Sequence, residues 1–134
     1  MQQGAVRDLQ EMLAGLDPVC DPRPYRFLAL PPEDASADWI EDPFAVIREE
    51  EGMTFVVPSE VEGGGEGHFA RIVLQVNSAL DGVGLTASVA TGLAAEGIAC
   101  NVIAAFRHDH LFVPWERRND AMTVLTRLSD DVRR

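Results

Sequence analysis

The sequence predicts an α+β fold, an antiparallel sheet with helices packed on one face. Three observations carry that prediction. Residues 69–77 alternate Phe69, Arg71, Val73, Gln75 and Asn77 against Ala70, Ile72, Leu74 and Val76, the period of a half-buried strand. Leu85, Val89 and Leu93 then recur at helical spacing between Gly84 and Gly97. A second helical stripe, Ala121, Met122, Leu125 and Leu128, runs through residues 116–128.

A chain of 134 residues, 46% hydrophobic and 25% charged, has the size and composition of one ordinary globular core. The formal net charge of −11 argues against nucleic acid and against anionic membranes, which are bound through surplus Lys and Arg. All 11 Lys/Arg positions are Arg, so Schiff-base chemistry and a phosphate-loop lysine are excluded. Arg7 and Asp8 stand where a signal peptide needs its apolar core, and no run reaches membrane-spanning length. Cys20 and Cys100 sit in unrelated contexts, so a cytoplasmic protein with reduced thiols is expected.

In chain order, Val6, Leu9, Met12, Leu13 and Leu16 predict an amphipathic helix over 5–16, closed by Gly15 and Asp17-Pro18. Pro18, Pro22 and Pro24 impose an extended approach to a short strand at 25–30, stopped by Pro31-Pro32. Acidic residues 33–42 predict a loop. Residues 44–57 predict a hairpin turning at 49–52, where Gly52 supplies positive φ. The glycines at 63–67 lead into a strand instead of opening a helix, and Glu66 would repel phosphate, so this run predicts a linker and not a phosphate cradle. Ile98 to Phe106 is apolar enough to predict a central strand, followed by a turn at 107–109 and a return strand at 110–113.

Strand-helix-strand-strand-helix with these crossovers is the ferredoxin-like arrangement lacking its last strand. The segment DGVGLTASVATGLAAEGIACNVI resembles the ACT-domain signature, with Asp81, Gly84, Leu85, Leu93, Gly97 and Ile98 at motif positions. CNVIAAFRHDHLFVP and the hairpin FAVIREEEGMTFVVP resemble a group of small bacterial ACT-like proteins of unknown function. That group is related to the tandem ACT halves of aspartate kinases and to the arginine sensors of animal cells. The resemblance implies a strand borrowed from the N-terminal half, residues 25–30, to complete an intertwined double-ACT sheet. It divides the chain into an N-terminal half at 1–62, a linker at 63–67 and an ACT-like domain at 68–134. Val83 stands where many ACT domains have Pro, a departure in the loop that matters most.

The resemblance also implies a non-enzymatic regulatory module, a homodimer, that binds a small ligand such as an amino acid after the first strand of the unit. The expected site is Asp81, Gly82, Val83, Gly84, Leu85 and Thr86, with Asn101, Ile103 and His108 nearby, and no cofactor. Backbone N–H groups at a helix start suit a ligand carboxylate. Asp81 can take the ligand's ammonium group, although capping the helix is the commoner role for Asp. His108 and His110 point the same way along a strand and invite a metal, but two ligands do not make a structural site. Cys100 and His108 lack an orienting third group for nucleophilic catalysis. A ligand-free interaction module remains the alternative, and it requires a loop filled by the protein's own side chains.

Overall fold

A computed structural model describes residues 4–31, 33, 40, 42–59 and 67–134. Six strands form one antiparallel sheet: β1 (Pro18–Leu30), β2 (Ala45–Glu49), β3 (Gly52–Pro58), β4 (Phe69–Leu74), β5 (Asn101–Ala104) and β6 (Asp109–Pro114). Their order across the sheet is β2-β3-β1-β4-β6-β5. Each half thus sets its first strand beside its third and its third beside its second. The two first strands, β1 and β4, meet at the centre, and each supplies the fourth strand that the other half lacks. The ferredoxin-like double unit expected from the sequence is this sheet.

The residues of β1 that pair with β4 are not those expected. Pro18 to Cys20 lie opposite Leu74 to Ile72, and Pro24 and Tyr25 opposite Ala70 and Phe69, with a register break between. Tyr25 to Leu30 instead pair with Pro58 to Met53 of β3. The proline-rich approach is therefore part of the strand. Proline is tolerated there because Pro18 opens the strand, Pro22 falls within the register break and Pro24 stands at its edge.

Helices α1 (Leu9–Ala14), α2 (Leu85–Ala95) and α3 (Arg118–Arg133) cover one face of the C-terminal half. Beneath them lie Ala70, Ile72 and Leu74 of β4 and Leu111 and Val113 of β6. The α2 C-terminus closes as the sequence expects: Gly97 takes φ +71°, its N–H reaches Ala94 O, and Ile98 N–H reaches Leu93 O. In the hairpin, Gly52 has φ +148°, and any side chain there would collide with the Leu30 carbonyl.

Three expectations change. The first helix starts at Leu9, with the Asp8 carboxylate accepting from Glu11 N at 3.0 Å. Val6, which fits the helical stripe, instead bridges to Ser78 as a strand. The apolar run 98–106 yields only the four-residue β5, at the sheet edge and not its centre. Only part of that run faces the core, where Ile98, Cys100 and Val102 pack, while Ala104 to Phe106 are exposed. The final helix extends to Arg133 and buries Val124 and Ser129, whereas Met122 and Leu128 are half-buried. The expected loop at 33–42 and linker at 63–67 lie almost wholly outside the described residues.

Leu93 is fully buried in this core. Leu93→Ala should cost about 2–5 kcal/mol in urea unfolding, whereas Glu50→Ala, in the exposed hairpin turn, should stay within about 0.5 kcal/mol of the parent.

Candidate functional site

After β4 the chain turns through 75–84 into α2, and the N-terminal segment is laid along that turn. Val6 N–H donates to Asn77 O at 2.7 Å, and Ala79 N–H donates to Val6 O at 2.8 Å. Gly84, at φ +103°, is the residue before α2, and no side chain caps the helix. The capping role weighed for Asp81 is not the one adopted. Its carboxylate accepts from Arg7 Nη2 at 2.8 Å and Nε at 3.1 Å, in a pair exposed on both sides. Such pairs are screened and weak.

Glycine is required here by close approach as well as by φ. A Cβ on Gly84 would lie 3.1 Å from Leu9 Cδ2, and one on Gly82 would lie 3.2 Å from Met12 Sδ. Helix α1 therefore rests directly on the loop backbone. Beneath it, Ser78 Oγ donates to Asp109 Oδ2 at 3.1 Å, with both side chains buried. Asn77 Oδ1 is buried without a hydrogen-bond partner among the described residues. The gap between Leu85, Thr86, Val89, Val102 and Asp109 has no room for a water molecule.

The structure thus brings Asp81, Gly82, Val83, Gly84, Leu85 and Thr86 together with Asn77, Ser78 and Asp109. Leu85 is buried in the core, and Val83 is 81% exposed. Asn101 and Ile103 are not part of the group. They lie opposite Phe112 and His110 in the ladder, on the face away from α2, and Ile103 packs into the cluster there. Val102, of the opposite parity, faces the loop. His108 sits at the β5–β6 turn, where its carbonyl accepts from Ala105 N–H at 3.0 Å. Asp109 was missed as a site residue, yet it has the strand parity of Leu111 and Val113, so the same alternation that identifies β4 places it inward. Arg7, Leu9 and Met12 carried no local sign of their contact with the loop.

His110 does not join His108 as a metal ligand. Its ring packs 4.8 Å from Phe44, with Nδ1 3.3 Å from Arg71 Nη1. No metal-holding group of three donors occurs among the described residues. Burial, then the Arg71 charge and then His108, hold the His110 imidazole down at about 4. Burial pushes the Cys100 thiol up to about 11, so it is an inert core thiol and not a nucleophile.

Asp21 anchors the same sheet face. Burial alone would raise its carboxyl, but hydrogen bonds from Arg23 and from the Tyr25 hydroxyl overcome that and hold it at about 2.

A six-stranded sheet made of two interleaved ferredoxin-like halves, each completed by the other's first strand, defines a tandem regulatory-domain architecture. The chain belongs to the ACT-domain family. ACT-domain models match residues 4–61 and 70–127. A protein of unknown function from Vibrio cholerae is 36% identical, with 90% of this chain and 95% of that one aligned, at a TM-score of 0.75. The regulatory subunit of aspartate kinase from Thermus flavus shares the fold at 13% identity, over 83% of this chain and 95% of that one, with a TM-score of 0.62. Aspartokinase alpha and beta subunits share it at 15% identity, over 84% and 97%, also with a TM-score of 0.62. No curated protein matches. No helix among the described residues is long and apolar enough to cross a membrane.

Both displaced groups act in the same direction on acid stability. His110 is held below its ordinary value, so the folded state binds fewer protons than the unfolded chain between about pH 4 and 6.5. Stability present above that window should fall as pH drops through it. Asp21 should add a further loss as pH falls below about 3.8 towards 2. Thermal unfolding from pH 8 to pH 3 should show both losses, and His110→Gln should flatten only the upper one.

Proposed function

We propose that this chain is a non-enzymatic regulatory module, a cytoplasmic homodimer, whose loop 81–86 binds an amino acid. Residues 68–134 form the binding unit, and residues 1–62, joined through 63–67, complete its sheet. The observation that carries the reading is the buried Asp109 carboxylate, which lies beside Leu85 and Thr86 and accepts from Ser78 Oγ, with Asn77 Oδ1 buried in the turn that leads to the loop and unpartnered among the described residues. An α-amino acid offers an ammonium group to such acceptors and a carboxylate to the N-terminal amides of α2. The family relationship supports a regulatory role, since neighbouring folds include the regulatory subunit of an aspartate kinase. Leu80, Val83 and Phe106 are 60%, 81% and 55% exposed at this end of the sheet, an apolar surface that supports a dimer contact beside the loop.

A specific observation also favours the second reading, a ligand-free interaction module. Leu9 and Met12 already rest on Gly84 and Gly82. Under the first reading the cover at residues 4–8 must shift when ligand enters. Those residues are held at Val6 by two backbone hydrogen bonds and at Arg7 by an exposed ion pair, whereas α1 is fixed by burial of Met12 and Leu13 and by Ser129 Oγ donating to Ala14 O.

Thermal shift against the twenty amino acids separates the readings. A true ligand at a hundred times its dissociation constant should add about 2.7 kcal/mol of stability, and several degrees to the midpoint in a domain of this size. Asp109→Asn should abolish the shift, and Arg7→Ala, by loosening the covering segment, should enlarge it. Silence across the panel from a dimer of unchanged mass, measured by light scattering, would favour the interaction module.

A further inference from the structure

The sheet face turned away from the helices carries a cluster that the loop does not use. Arg71 alternates with Ala70 and Ile72 of the helix-side core, so its guanidinium emerges on the opposite face. There it packs 4.5 Å from the centre of the Phe44 ring and 5.4 Å from that of Tyr25. Nη2 lies 3.3 Å from Asp21 Oδ2, and Nη1 lies 3.3 Å from His110 Nδ1. Nε is buried and has no hydrogen-bond partner among the described residues.

Donors outnumber acceptors around Asp21. Arg23 N, Nε and Nη2, the Tyr25 hydroxyl and Arg71 Nη2 all converge on this one carboxylate, which offers about four lone-pair sites. Three of these contacts, those from the guanidinium nitrogens, are 3.3 Å long, stretched for charge-assisted bonds. Two guanidiniums share the one buried Asp21 carboxylate, and Asp42 beside them balances the remaining charge, so what the cluster offers an anion is unfilled donors and not a net charge. Both arginines line a cleft of about 280 Å³, walled by Tyr25, Pro43, Phe44 and Pro58, with Asp42 also contributing to its lining.

We propose that this cleft is a second binding site, which takes a small monocarboxylate with an apolar or amine-bearing body. Arg71 and Arg23 receive the carboxylate in the planar, two-pronged manner of guanidinium recognition, and Arg71 Nε gains an acceptor that it lacks among the described residues. The aromatic and proline walls take the body of the ligand. Asp42 repels a second anionic group and accepts an amine. The volume restricts the ligand to about the size of an amino acid. The site lies on the opposite sheet face from loop 81–86 and does not depend on the function proposed for that loop.

Calorimetric titration of the full chain with leucine, 4-methylpentanoate, succinate and inorganic phosphate tests the proposal. One or both monocarboxylates should bind, and a preference for leucine would assign the amine to Asp42. Arg71→Met should weaken that binding at least tenfold and Arg23→Gln several-fold, while Glu50→Ala, in the exposed hairpin turn, leaves it unchanged. Arg23 is half-exposed, so Arg23→Gln remains informative even if Arg71→Met unfolds. Asp42→Asn should admit succinate. The proposal is overturned if neither monocarboxylate binds, if succinate or phosphate binds the parent protein as well as they do, or if affinity ignores both arginine variants. Loss of binding in Asp109→Asn alone would assign the ligand to the loop and also overturn it.

Discussion

Everything in the molecule hangs on the antiparallel pairing of β1 with β4 at the centre of the sheet. Without it each half is a three-stranded ladder with one exposed long edge and an incomplete core. With it, Pro18 to Tyr25 serve the C-terminal half and Tyr25 to Leu30 serve the N-terminal half. One residue, Tyr25, takes part in both ladders. It is almost fully buried, and its ring meets Phe44 and Phe112 edge-on at 6.1 and 5.9 Å. The register break beside it turns Asp21 and Arg23 toward the Tyr25 hydroxyl. The same irregularity that lets one strand serve two ladders therefore also builds the polar cluster on the open face.

The two faces of β4 separate two chemistries. Ala70, Ile72 and Leu74 join the helices in an apolar core, and Ser78 of the turn that follows them donates to the buried Asp109 of β6. Phe69 and Arg71, one residue out of phase, look across the sheet into an aromatic and cationic environment. A six-residue strand can do this because its side chains alternate without exception, so each face is free to specialise.

That alternation is also why this part of the fold was legible in the sequence. A strand with one buried face, a helix bounded by Gly84 and Gly97, and a hairpin turning at Gly52 each write their own local signal. The misread parts depend on partners far along the chain. Val6 fits a helical stripe, but Ser78 draws it into a bridge. Asp81 is a good helix cap by composition, but Arg7 holds it elsewhere. The run from Ile98 to Phe106 is apolar for two different reasons, core packing at its start and exposure at its end, and hydrophobicity alone does not distinguish them. Asn101 and Ile103 fall on the face away from α2 because the loop-side positions of that strand are the even ones, a parity set by its pairing with β6. The donor-rich cluster around Asp21 was invisible because its members come from β1, β4 and the segment before β2.

The prolines of β1 bear on how the chain survives its own synthesis. At roughly 5–20 residues per second, β4 follows β1 from the ribosome only after several seconds. Through that interval the edge that will meet β4 is unpaired, and a bare strand edge is a template for joining other chains. Pro18, Pro22 and Pro24 strip N–H donors from the half of the strand that waits, and the irregularity between Cys20 and Pro24 interrupts its straight course. The half that pairs locally, Tyr25 to Leu30, has no proline and finds β3 in the next stretch of chain. Proline is thus concentrated where premature pairing with a stranger would do most harm, and absent where the native partner arrives soonest.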